Sequence, residues 1–313
     1  MIGSLRVSTA DLLQFATEQG IAPAGESPVE VFDGVEPIDV AGPSQVTFCR
    51  FDDDRGRRWL EQTRAGAIFI LPHLAETAQG QRAALYLPCA VPRFGLLRFI
   101  QRFWQEPAWH APSGRNPEIH ASARLGENVR VGPFATIGPD VEIGAGTVIG
   151  AGVHIVHSTI GRDCLIGSNS VIGGPGFGYE DDDETADVVE FPQIGSVRIG
   201  DRVRIGANNT VDRAALGETV IEDDCKFDNG VHIGHNARIG KRCKITAHAM
   251  IAGSVVVGAG TWIAPSASIR DWRTVGKDAL IGIGAVVTKD VPDGATVAGN
   301  PARPMERTTH RYR

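Results

Sequence analysis

Set out in blocks of six, residues 221–287 read IEDDCK FDNGVH IGHNAR IGKRCK ITAHAM IAGSVV VGAGTW IAPSAS IRDWRT VGKDAL IGIGAV V. The first letter of every block is apolar: Ile221, Phe227, Ile233, Ile239, Ile245, Ile251, Val257, Ile263, Ile269, Val275, Ile281 and Val287. A period of six is not the 3.6 of a helix face, nor the simple alternation of a half-buried strand. Small residues often come next, among them Gly234, Gly240, Ala252 and Gly258. A coil of three short flat strands per turn satisfies both features. Small or turn-forming residues make its corners, and one aliphatic side chain per strand points into a narrow prism. The predicted fold is mainly β: a left-handed parallel β-helix.

The rhythm extends upstream through Ile119, Leu125, Val131, Ile137, Ile143, Ile149 and Ile155, slips by one, and resumes at Ile160, Ile166 and Ile172. It breaks over Gly173–Gln193, returns at Ile199, Ile205 and Val211, and slips again near Leu216. The break holds Gly173-Gly-Pro-Gly-Phe-Gly-Tyr179 and an acidic run from Glu180 to Glu184. An insertion of that length must leave the prism as a loop or hairpin, so 173–195 is assigned as an excursion. The β-helix is expected over 119–291, a proline- and glycine-bearing linker over 106–118, and a tail over 292–313. Residues 1–105 suggest a small α/β domain. Ser8 and Thr9 can cap a helix through Ala16, 44–48, 67–71 and 84–87 suit buried strands, and 59–64 and 96–104 suit helices.

Composition narrows the function classes. Glycine supplies 38 of 313 residues and aromatics only 6%, as tight corners and a narrow core require. The glycine period of six excludes collagen, and the net charge of −6 argues against a nucleic-acid backbone as partner. Five scattered cysteines without CxxC spacing suggest reduced thiols and neither disulfides nor zinc ligands. No secretory signal is evident. The longest apolar run, Ala65–Leu71, is far shorter than the ~20 residues of a membrane span. The expected location is cytoplasmic.

Three faces of six residues return the chain to the same place every eighteen. Gly253 lies eighteen residues after His235, and Asp271 eighteen after Gly253, so the three should stack in one column with ~4.8 Å per coil. An imidazole can take a proton from an attacking amine at neutral pH. A bare glycine N–H one rung away can meet the oxyanion of a tetrahedral intermediate. The pair suits acyl transfer without a nucleophilic serine or cysteine. The competing reading is structural, since prism corners favour Asn, Asp, Gly and His simply because they turn. His154, His157, His232 and His248 also lie on the solenoid, and Asp228 and Asn229 sit one face earlier on the same coil as His235. No metal is expected, because the histidines share no eighteen-residue column from which three could converge.

Several motifs resemble the UDP-3-O-acylglucosamine N-acyltransferases of lipid A biosynthesis over nearly the whole chain. They are Val46-Thr-Phe48, Thr63-Arg-Ala-Gly-Ala67, the 173–179 run with Pro192-Gln-Ile-Gly195, Ile205-Gly-Ala-Asn-Asn-Thr-Val-Asp-Arg213, Asp228-Asn229 and Ile233-Gly-His-Asn-Ala237. The resemblance implies that His235 is the catalytic base and Gly253 the oxyanion donor. It further implies an acceptor bound by Phe48, Asp228, Asn229, Gln193 and Asn236, with the uracil on the N-terminal domain. The family's donor is an acyl carrier protein thioester, its acceptor a UDP-linked glucosamine amine, and its sites form at the subunit boundaries of a homotrimer. No tightly bound cofactor is implied.

Three departures stand out. The family's second site histidine falls on Trp272. The second of its two base-stacking aromatics falls on Asp54, with Phe51 and Trp59 nearby. Its acyl-chain groove falls on Gly282–Val287, so Trp272, Ala285 and Val287 are the expected donor-binding residues. The end, Val297-Ala-Gly-Asn-Pro-Ala-Arg-Pro304, resembles coenzyme A-dependent hexapeptide acetyltransferases. The alternatives are therefore an acetyl-coenzyme A enzyme acting on a nucleotide-linked amino sugar for surface polysaccharide, and a non-catalytic hexapeptide scaffold.

Overall fold

A computed structural model describes residues 5–78, 84–104, 116–181 and 187–305. The chain forms two compact units, 1–110 and 111–313. The expected linker falls largely outside the described residues.

In the second unit each block of six has a fixed division of labour. Position one points inward, as in Ile233, Ile251 and Ile269, and so does position five, as in Ala237, Val255, Ala267 and Ala285. Large and small inward residues thereby alternate, which fills a narrow prism without voids. Position four is left-handed in every block from Asp224 to Gly284, with φ between +51° and +75°. That residue turns the corner. Backbone pairing is parallel and in register at eighteen residues, Ile233 with Ile251 and Ile251 with Ile269.

The three faces carry nine, eight and ten strands. In chain order they begin at Glu118–Ile119, Arg124–Leu125 and Arg130–Val131. The third face continues past the expected end at 291. Thr296–Ala298 pairs with Leu280–Ile281, and Arg303–Pro304 folds back antiparallel on Thr296–Ala298. Part of the expected tail is therefore prism.

Every break in the period of six follows a strand of the first face, after Ile155, Ile172, Val211 and Val287. All extra or missing residues thus fall on the edge between the first and second faces. The longest is the excursion, whose Tyr179–Asp181 and Val188–Glu190 form an antiparallel hairpin. The other two edges keep strict time through the same coils.

The first unit holds a five-stranded sheet in the order Ala24–Gly25, Leu85–Pro88, Ala67–Ile70, Gln45–Phe48, Gly34–Val35. Helix α1 (Thr9–Glu18) is capped by Ser8, whose hydroxyl accepts from the Asp11 N–H. Helix α2 (Asp54–Gln62) begins five residues before its expected start. Only Gly56 and Leu60 are buried in it, so no apolar period marks it, and the Asp53 side chain starts it by accepting from Arg55 and Gly56 N–H. Helix α3 (Pro72–Ala78) is too short to show a period and was not expected, while α4 (Pro92–Phe103) buries Leu96 and Phe99.

Candidate active site

His235 is position three of its block, at the edge between the first and second faces. The break at 213–217 lies directly against it and holds its neighbour. The Ala215 N–H donates to Asn236 Oδ1 (3.0 Å), and Asn236 Nδ2 donates to the Leu216 carbonyl (2.9 Å). Those two bonds decide which end of the amide is oxygen. Asn236 Oδ1 therefore accepts from His235 Nδ1 (3.0 Å), which must carry the proton. Nε2 is left with its lone pair.

A Cβ built on Gly253 would lie 2.7, 2.9 and 3.2 Å from His235 Nε2, Cε1 and Cδ2, so a side chain there would press on the face of the ring. The backbone ties the column together, Ser254 N–H donating to the His235 carbonyl (2.8 Å) and Trp272 N–H to the Gly253 carbonyl (3.1 Å). The Gly253 N–H itself donates to nothing among the described residues. On the other side Gly176 of the excursion packs on the ring, where a Cβ would approach His235 Cβ to 2.7 Å. Base, free N–H and a covering loop meet in an open pocket of about 420 Å³, walled also by Phe177, Met250 and Trp272.

Asp212 and His232 complete the wall. The bulge between Ile172 and Gly174 pairs Gly174 with Asp212 at the start of the edge. His232 shares a 2.8 Å hydrogen bond with the Thr210 hydroxyl through Nδ1, and its Nε2 lies 3.7 Å from Asp212 Oδ2. Burial pushes the Asp212 carboxyl above the usual carboxylate range, opposed by His232 and then His235. Counting by eighteen does not select Asp212, His232, Phe177 or Met250. The signal that marks their edge is that every break in the repeat falls on it.

The other expected site residues lie elsewhere. Asn236 is not among the residues lining this pocket, and its amide bonds to Ala215, Leu216 and His235. Asp228 and Asn229 turn the edge between the third and first faces. Asn229 Oδ1 accepts from the Ala207 N–H (2.7 Å), and Asp228 Oδ1 from the Asn229 N–H (2.8 Å). Gln193 is 3% exposed within the excursion, with Nε2 donating to the Phe191 carbonyl. Ala285 and Val287 occupy the two inward positions of the prism and are 0% and 1% exposed. Their side chains fill the core and cannot line a donor groove. The exposed large apolar side chain of that segment is Ile283. Trp272 does stand at the pocket, largely exposed and at a left-handed corner with φ +58°.

In the first unit Phe48 packs against the local core. Phe51 and Trp59 meet edge to face (5.2 Å, 84°), with the Arg55 and Arg50 guanidinium groups 4.9 and 5.1 Å from the Phe51 ring centre. Among the described residues no group of His, Cys, Asp and Glu is arranged to hold a metal, and no helix is long and apolar enough to cross a membrane.

Two family models match this chain. "Bacterial transferase hexapeptide (six repeats)" covers 122–157 and 218–253, and "Hexapeptide repeat of succinyl-transferase" covers 158–175 and 196–235. A UDP-3-O-acylglucosamine N-acyltransferase of Caulobacter vibrioides is 37% identical over 296 residues, 87% of this chain and 83% of that one. Another, from Caulobacter sp. strain K31, is 44% identical over 148 residues, 47% of this chain and 43% of the relative, so this match spans less than half the relative's length. Among solved structures, the UDP-N-acetylglucosamine acyltransferase of Bacteroides fragilis is 27% identical with a TM-score of 0.55, covering 63% of this chain and 74% of that one.

Proposed function

The chain belongs to the UDP-3-O-acylglucosamine N-acyltransferase family, and from that premise we propose that it moves an acyl group from a thioester to the 2-amino group of a UDP-linked 3-O-acylglucosamine. The carrying observation is the Asn236–His235–Gly253 edge. It pairs a base whose tautomer is fixed with an unpaired N–H one rung away. The amine attacks the thioester carbonyl as its proton passes to His235 Nε2. The Gly253 N–H meets the oxyanion, a kind of contact worth about 3 kcal/mol to the transition state. Collapse breaks the C–S bond, and the thiolate recovers the proton from His235. No step calls for a metal or a tightly bound cofactor.

Trp272 and Met250 offer the donor an apolar wall, whether the thioester is borne by acyl carrier protein or by coenzyme A. Asp228 and Asn229 lie on a different edge of the prism from His235. We assign them to the acceptor site of a neighbouring copy in a cytoplasmic homotrimer, where two different edges meet. Replacing His235 with Ala should lower kcat by ~10² or more while leaving the melting temperature in place. Mass spectrometry of products from UDP- and dTDP-amino sugars, each with acyl carrier protein and coenzyme A thioesters, would read donor and acceptor together. A variant that keeps most of the activity overturns the assignment.

A further inference from the structure

Asp212 presents a chemical problem that the acyl-transfer steps leave unsolved. Its side chain is only 16% exposed, yet neither oxygen accepts a hydrogen bond among the described residues. The nearest cation-forming group, His232 Nε2, is 3.7 Å away and held from its far side by Thr210. A carboxylate drawn out of water and left without donors is costly unless a cation meets it. The pocket's second carboxylate, Asp271, is in a different state. It is 53% exposed and has Arg270 Nε at 3.4 Å.

Over Asp212 the repeat places small residues, which line the pocket with it. Val211 pairs with Ile233 and Ile233 with Ile251, so the residues stacked over Asp212 are Gly234 and Ala252. Beside that small-residue column stands His235, one position along the same edge. A donor that enters the pocket against Asp212 therefore lies next to the base. The acceptor of an amide-forming reaction arrives largely as an ammonium ion, which carries three N–H donors and a positive charge.

We propose that Asp212 reads the charge of the acceptor nitrogen, holding the ammonium beside His235 and selecting an amine over a hydroxyl at the same position. This rests on the N-acyl-transfer reading above. The bound ammonium yields one proton to bulk water. The neutral amine forms the C–N bond and gives a second proton to His235 Nε2, and the departing thiolate takes that proton as the C–S bond breaks. Asp212 is unchanged at the end and acts through binding.

The test is calorimetric binding of two ligands, UDP-3-O-acylglucosamine and the same molecule with a 2-hydroxyl in place of the amine. The unmodified protein should bind the amine at least about tenfold more tightly, as a charge-assisted pair requires. Asp212→Asn should bind both alike, and His235→Ala should keep the preference. An unmodified protein that acylates the amine yet binds both ligands equally overturns this inference alone, without any variant. A folded Asp212→Asn protein that keeps the preference overturns it as well. If the unmodified protein neither binds nor acylates the amine, the N-acyl-transfer reading falls and this inference with it.

Discussion

Two edges of one prism are built from the same block of six and do opposite work. On the edge between the second and third faces, four position-three N–H groups are capped by side chains of neighbouring coils. Arg162 N–H donates to Asp201 (2.8 Å), Asp201 N–H to Asp223 (3.0 Å), Lys241 N–H to Glu222 (3.1 Å) and Lys277 N–H to Asp293 (2.7 Å). On the edge between the first and second faces the same position holds His235, Gly253 and Asp271, and the Gly253 N–H is uncapped. Asp271, the residue stacked where a cap would come from, turns to Arg270. One edge caps several of its position-three N–H groups with charged side chains, and on the other the column through Gly253 carries no such cap. A solenoid shows this contrast well, because geometry is held constant while the demand changes.

The sharpest way to break the contrast is to fill the vacant edge. Gly253→Ala puts a methyl group 2.7 Å from His235 Nε2 over the ring face, so the ring, held at Nδ1 by Asn236, must shift. The expected result is a fall of about 10² in kcat, similar to losing one oxyanion donor, with little change in melting temperature. Steady-state kinetics beside a thermal melt would check it. Unchanged kcat would mean that the free space at Gly253 has no part in the chemistry.

Asp223 supplies the converse. Its carboxylate accepts from the Asp201 N–H, and Lys241 Nζ lies 3.1 Å from its second oxygen. The backbone N–H first, then Lys241, hold its carboxyl below the usual carboxylate range. A depressed folded pKa gives stability that is present above the unfolded value of about 3.9 and is lost as pH falls through the folded one. With a third of the side chain in solvent, Asp223→Ala should cost no more than about 1 kcal/mol. That corresponds to roughly 2–4 °C near neutral pH, and the gap from the unmodified protein should close in acid. Activity should be untouched. A large loss of kcat in this variant would erase the distinction between the edges.

How much of this could be counted from the sequence depends on which period governs each residue. The isoleucine ladder is a pure period of six, so the prism was legible throughout. His235, Gly253 and Asp271 are a pure period of eighteen, and the structure stacks them. Ala285 is misplaced because one inward residue per block is counted where there are two, and Val287 because a member of the inward ladder cannot also line an outer groove. The bonds of Asn236 to Ala215 and Leu216 are not legible in the sequence, because those partners belong to a break in the repeat that no period reaches. Asp212 and Phe177 were missed for the same reason, one on a bulge and one in the excursion. The part of the site that escapes counting is the part carried by irregular backbone, where contacts depend on how a loop returns.

Trp272 is the smallest and most diagnostic difference between the edges. It sits at position four, which is left-handed in every block around it, with φ +58°. Left-handed backbone costs a bulky residue about 1 kcal/mol more than it costs Asn or Gly. The ring is 71% exposed, so burial returns little of that cost in the free protomer. Trp272→Asn should therefore raise stability by about 0.5–1 kcal/mol, a shift of about 1–4 °C in the melting temperature. If the ring serves the donor, the same change should raise the donor KM severalfold and leave the acceptor KM alone. A variant that is more stable and equally good with every thioester would return Trp272 to the scaffold. One that gains stability and loses donor affinity would show that this corner holds a strained residue for binding.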